Sequence, residues 1–134
     1  MKNAVYILLI AFIFLGCSFK DRRNTLLNVS TNIARNDKAI VFYKDGLVSV
    51  NSYNVSIVEE DYSLVNNVPA NVFSYSKSDS CKIDKSTYVE VVWVHPTELL
   101  IKHPEDGTLW KNDSTIKVNG TRYTIRYQTK KSCF

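Results

Sequence analysis

From Ala39 onward, short apolar runs alternate with turn residues, which predicts β-strands rather than helices. Residues 39–43 form one run, closed by Asp45-Gly46. Residues 47–58 alternate, with Leu47 and Ser49 opposed to Val48 and Val50, and continue through Val55 and Ile57. Residues 87–94 are valine-rich and set Val89, Val91 and Trp93 on one face, a period of two. Residues 98–103 follow after only His95-Pro96-Thr97, so these two runs are expected to form a hairpin. Residues 115–118 and 121–128 flank Asn119-Gly120, the pair that a type I′ hairpin turn demands because both central residues need positive φ. No apolar period of 3.6 persists beyond about ten residues, and there is no internal repeat. The expected class is all-β, a small antiparallel sandwich rather than a closed barrel.

Residues 18–36 are polar and turn-rich, with scattered Leu26, Leu27, Val29 and Ile33, and read as a tether leading into the domain. The alternating β-branched Val29, Thr31 and Ile33 place a first strand near 27–33. Gly46, Gly107 and Gly120 each follow Asp or Asn and are spent as turn residues, so no glycine-rich phosphate cradle can be built from them. Cys81, Trp93 and Cys133 share the order of the immunoglobulin Cys…Trp…Cys arrangement. Yet Lys131 stands where that arrangement has tyrosine and only Phe134 follows Cys133, so an immunoglobulin topology is not assigned.

The amino-terminal pattern is different. Lys2 precedes an uncharged stretch from Asn3 to Phe19. It is shorter than the roughly 20 residues of a membrane-spanning helix, and fits a secretory signal. Phe14-Leu15-Gly16-Cys17, followed by Ser18, resembles the lipobox of bacterial lipoproteins, with Phe14 in place of the usual leucine. The resemblance implies that residues 1–16 are a signal peptide, that Cys17 is lipidated and becomes the amino terminus, that 17–37 form lipidated cysteine and tether, and that 38–134 form the domain. Several acyl chains, palmitate among them, would anchor it stably to the membrane. Ser18 rather than Asp implies sorting to the outer membrane, facing the periplasm.

With Cys17 carrying lipid, Cys81 and Cys133 remain as an even pair in an oxidising compartment and are expected to form a disulfide. Closing a loop of some 50 residues contributes about 4 kcal/mol in the chain-entropy account. Their spacing matches neither a structural zinc site nor a redox motif.

The 134 residues suffice for one domain, and 45% hydrophobic content excludes global disorder. A net charge of +4 is too mild to indicate nucleic acid. His95 and His103, at opposite ends of an extended run, are expected about 20 Å apart, too far to share a metal. They read as loop residues at strand ends. Glu59-Glu60-Asp61 reads as a solvated turn. There is no nucleophile elbow, so no catalytic residue, metal ligand or cofactor is expected, and the chain is not expected to be an enzyme.

The 115–128 hairpin is the informative surface. Pairing across Asn119-Gly120 sets Lys117 opposite Arg122 and Ile116 opposite Tyr123. Ile116, Val118, Tyr123, Ile125 and Tyr127 then face inward, while Lys117, Arg122, Thr124 and Arg126 face outward. Between Lys111 and Lys131 six basic residues meet only Asp113. Lys117, Arg122 and Arg126 are the candidate partner-binding residues, for an acidic protein or for phosphates at a membrane surface. The four Asn-x-Ser/Thr sequons, at Asn28, Asn54, Asn112 and Asn119, are incidental if the lipobox resemblance holds.

A lipobox cysteine leading through Asp21-Arg22 into a β-rich domain also resembles small enterobacterial lipoproteins considered immunity proteins for type VI secretion effectors. The resemblance covers the tether and first strands, including 36–42, and transfers no binding residue. It implies a non-catalytic module that occludes a toxin's active site. The other expectations are a phage or plasmid exclusion factor that blocks uptake through an envelope receptor, and a structural accessory of an envelope assembly that recruits a strand.

Overall fold

A computed structural model describes residues 23–46, 51–77 and 85–131 of the chain. The signal peptide, Cys17, Cys81, Cys133 and the expected strand residues 47–50 lie outside the described residues.

Among the described residues nine strands form two sheets: β1 (Asn24–Thr31), β2 (Asp37–Lys44), β3 (Ser52–Glu59), β4 (Phe73–Lys77), β5 (Glu90–His95), β6 (Glu98–Pro104), β7 (Gly107–Asn112), β8 (Thr115–Val118) and β9 (Thr121–Lys130). The first sheet runs β1-β2-β3-β4-β7 and the second β5-β6-β9-β8. They pack face to face as a sandwich, as the alternation predicts. One junction differs from the expected antiparallel plan: β6 and β9 pair in parallel, Leu99 beside Ile125 and Ile101 beside Tyr127. The crossover between them consists of β7 in the opposite sheet and then β8.

Inward positions alternate as a half-buried strand requires. Ala39 and Val41 on β2, Val55 and Ile57 on β3, Phe73 and Tyr75 on β4, Leu99 and Ile101 on β6, and Tyr123 and Ile125 on β9 make the core between the sheets. Each fully buried aliphatic side chain contributes about 1.5–3 kcal/mol. Trp93 packs on this core and donates its indole N–H to the Ser30 carbonyl at 2.9 Å, joining β5 to β1. The Asn32 amide donates to the Pro96 carbonyl at 2.7 Å, so these two sheet edges lie along the same side of the sandwich.

The first strand expected near 27–33 is present as β1, within the segment read as tether, 17–37, paired along β2 from Asn24–Lys44 to Thr31–Lys38 with a bulge between Leu26 and Asn28. Two expectations are corrected. Residues 87 and 88 belong not to a strand but to a single helical turn, α1 (Lys85–Tyr88), and β5 begins at Glu90. Two strands, β4 and β7, are additional to those expected. At the start of β7, Gly107 has φ +144°, and a side chain there would collide with the Tyr75 ring and the Ser76 carbonyl, so this glycine is required.

The first sheet is covered on its outer face as well. Ile40 and Phe42 point away from the inter-sheet core yet are buried. The connection 60–72 lies across them: Glu60 N–H donates to the Asn36 carbonyl at 3.0 Å and Lys38 Nζ to the Tyr62 carbonyl at 2.8 Å. The Asn24 side chain donates to the carbonyls of Val65 at 2.9 Å and Val68 at 3.1 Å. Asn71 closes the connection by a two-way exchange with the Ile57 backbone, accepting at 2.9 Å and donating at 2.7 Å.

Candidate functional site

The β8–β9 hairpin has the expected geometry. Asn119 and Gly120 have φ of 46° and 81°, the two left-handed residues of a type I′ turn. Lys117 pairs with Arg122 and Ile116 with Tyr123. Tyr123 and Ile125 are in the core, with Ile116, Val118 and Tyr127 packed against it. Lys117, Arg122, Thr124 and Arg126 are exposed together on the outer face of the second sheet. Thus the structure brings the three candidate binding residues onto one surface. Val92 and Val94 of β5 are also half-exposed on this sheet, and Leu100 lies between Val92 and Arg126 in the cross-strand row.

The charge of that surface is smaller than the sequence suggests. Arg126 Nε lies 2.7 Å from Glu98 Oε1 and Lys130 Nζ 2.8 Å from Glu90 Oε1, while Lys111, on β7 of the other sheet, lies 2.9 Å from Asp113. Glu98 reaches the basic strand from the adjacent β6 and Glu90 from β5 beyond it, partners that local sequence did not offer. Each exposed pair is worth about 0–1 kcal/mol, but it halves the free positive charge. Lys117 and Arg122, directly opposed near the turn, have no ion pair among the described residues and are the centre of the electropositive patch.

An open cleft of about 870 Å³ lies at the same end of the sandwich, lined by Arg35, Asp37, Glu59, Glu60, Asp61 and Asn119 among others. Glu60 and Asp61 form the exposed turn expected of them. Glu59 accepts from the Asn119 amide and Asp37 from the Tyr123 hydroxyl. Arg35 Nη2 donates to Thr121 Oγ1 at 2.8 Å. These bonds clip the turns of one sheet to the hairpin of the other. Two of the four carboxylates are thereby engaged in structure.

The histidines separate. His95 is exposed at the end of β5. His103, expected in a loop, is instead buried on β6 among Phe73, Tyr75 and Tyr127, with ring centroids 5.3, 5.6 and 6.3 Å away. The alternation that buries Leu99 and Ile101 carries His103 inward with them. Its Nδ1 lies 2.8 Å from the Pro104 carbonyl. Burial raises the phenol pKa of Tyr75, Tyr88 and Tyr127 and pushes that of Tyr53 up to about 12. These side chains are core constituents. Among the described residues no group of three or more His, Cys, Asp or Glu is placed to hold a metal, and no helix is long and apolar enough to cross a membrane.

Compared with family models, with curated proteins and with solved structures, the chain shows no match to any.

Proposed function

We propose that this chain is a non-catalytic protein-binding module of the bacterial envelope, anchored through lipid on Cys17. Its partner surface is the outer face of the second sheet, centred on Lys117 and Arg122. The observation that carries the reading is the register of the hairpin. It sets directly opposite one another two cations that have no ion pair among the described residues, where like charges cost some tenths of a kcal/mol. It does so on an exposed sheet face that also carries the half-exposed Val92 and Val94, on β5 at the other edge of the same sheet. An acidic partner offers what the arrangement lacks: carboxylates to neutralise the pair and apolar surface to cover the valines. The lipobox-like Phe14-Leu15-Gly16-Cys17 and the resemblance to immunity lipoproteins favour a secreted toxin as that partner, bound so as to block its active site.

Two measurements test the reading. Cys17→Ala should abolish incorporation of labelled palmitate, and unchanged labelling would remove the anchor. Lys117→Glu/Arg122→Glu should weaken capture of a stoichiometric secreted partner by about tenfold or more, the scale of one or two lost charge-assisted contacts. A folded double variant that binds as tightly as the parent excludes this face. Capture of a resident receptor instead would indicate exclusion.

A further inference from the structure

The outer face of the first sheet, on the opposite side of the sandwich from Lys117 and Arg122, carries an apolar patch beside β1. Leu26 and Val29 share the face of their cross-strand partners Phe42 and Ile40, but remain 49% and 42% exposed. Val65, 54% exposed, lies on the connection 60–72, which Asn24 holds against the start of β1. Neither β1 nor residues 62–72 include a single charged side chain, although 22% of the chain is charged. At the margin of this uncharged patch stand Arg23, which is exposed, and Lys44, paired with Asn24, while Lys38, paired with Thr31, and the exposed Glu60 and Asp61 lie toward the other end of β2. Lys20 and Arg22 precede them in the sequence.

The place of the patch matters as much as its composition. From Cys17 to Asn24 the chain spans at most about 25 Å even fully extended, so whatever holds Cys17 holds β1 close by. We propose that this face rests on the surface of a lipid bilayer. Leu26, Val29 and Val65 enter the boundary between headgroups and acyl chains, and Arg23 and Lys44 lie among anionic headgroups. The inference rests on the reading of Cys17 as the lipid anchor. Three half-exposed aliphatic side chains would bind lipid weakly from free solution, but a short tether makes the contact intramolecular and a weak contact suffices. The bilayer would then fix the orientation of the domain, with the second sheet and its cations turned away from the membrane.

The test replaces residues 1–17 by a hexahistidine segment and holds the chain on nickel-chelating vesicles of phosphatidylethanolamine and phosphatidylglycerol with brominated acyl chains. Every described strand lies between Asn24 and Lys130, so this chain keeps both sheets. Tryptophan reporters are introduced as Val65→Trp, Leu26→Trp or Thr124→Trp in a Trp110→Phe background. Emission from Val65→Trp and Leu26→Trp should be quenched about twofold or more beyond that from Thr124→Trp, on the opposite face. Equal quenching at the three positions overturns the proposal. So does protection of the first two by dimerisation, seen as a doubled mass in light scattering. The nickel tether does not depend on natural lipidation, so failure here is separate from a failure of palmitate labelling at Cys17.

Discussion

Tyr53, Tyr75, Tyr88 and Tyr127 share the space between the sheets with Phe73 and His103. Tyr53 and Tyr88 have ring centroids 4.7 Å apart, and Phe73 and Tyr75 stack at 6.1 Å. Such ring pairs add about 0.5–1.5 kcal/mol beyond the area they bury. Burial disfavours the phenolate, so the folded pKa of each tyrosine is raised above the unfolded value of 10.0. The sign of the linkage follows. Stability is fully present below the unfolded pKa, and is lost as pH rises from there through the folded values, because only the unfolded chain releases these protons easily. Absorbance at 295 nm should therefore show part of the tyrosine ionisation delayed until the far-ultraviolet signal of the sheets collapses. Smooth titration of all tyrosines near pH 10 with the sheets intact would contradict this. The aromatic identity of the core was visible in the sequence, and so was the inward phase of His103, which continues that of Leu99 and Ile101. Its position at the end of the run and its polar ring pointed to a loop instead.

Local chemistry made some elements legible and left others obscure. Asn119-Gly120 specifies both the turn and the register, so the hairpin and its two faces follow from the sequence alone. β4 carries the alternation Phe73, Tyr75 against Ser74, Ser76, but only five residues long and after a polar connection. β7 begins at a glycine and is almost wholly exposed, so it offers no apolar stripe. The parallel pairing of β6 with β9 joins segments separated by two intervening strands, which no local pattern encodes. The connection 60–72 behaves as a structural element in its own right, since it buries Ile40 and Phe42. Asn71 anchors it by two bonds to the Ile57 backbone, and its own N–H donates to Ser56 Oγ at 3.0 Å. Asn71→Ala leaves the Ile57 amide and carbonyl without those partners and should cost about 2–3 kcal/mol in urea unfolding. It should also release the connection to amide exchange. A loss below about 0.5 kcal/mol with unchanged protection would show that apolar contacts alone hold it.

The whole molecule has two unlike faces. One carries, beside β1, an uncharged patch of Leu26, Val29 and Val65 that adjoins the segment leading back to Cys17. The other is an open sheet bearing Lys117 and Arg122. The sequence made the basic stripe visible but overstated it, because Glu90 and Glu98 approach Lys130 and Arg126 only in the folded sheet. It did not disclose the uncharged patch, although the absence of charge from 24–31 and 62–72 was a signal that could have been read. The central claim is that the open basic face meets a protein. Its most direct measurement is photo-crosslinking in cells with benzoylphenylalanine placed at Thr124 or, separately, at Val65. The account predicts one dominant protein adduct from Thr124, lost with Lys117→Glu/Arg122→Glu, and none from Val65. A protein adduct from Val65 with none from Thr124 would contradict it.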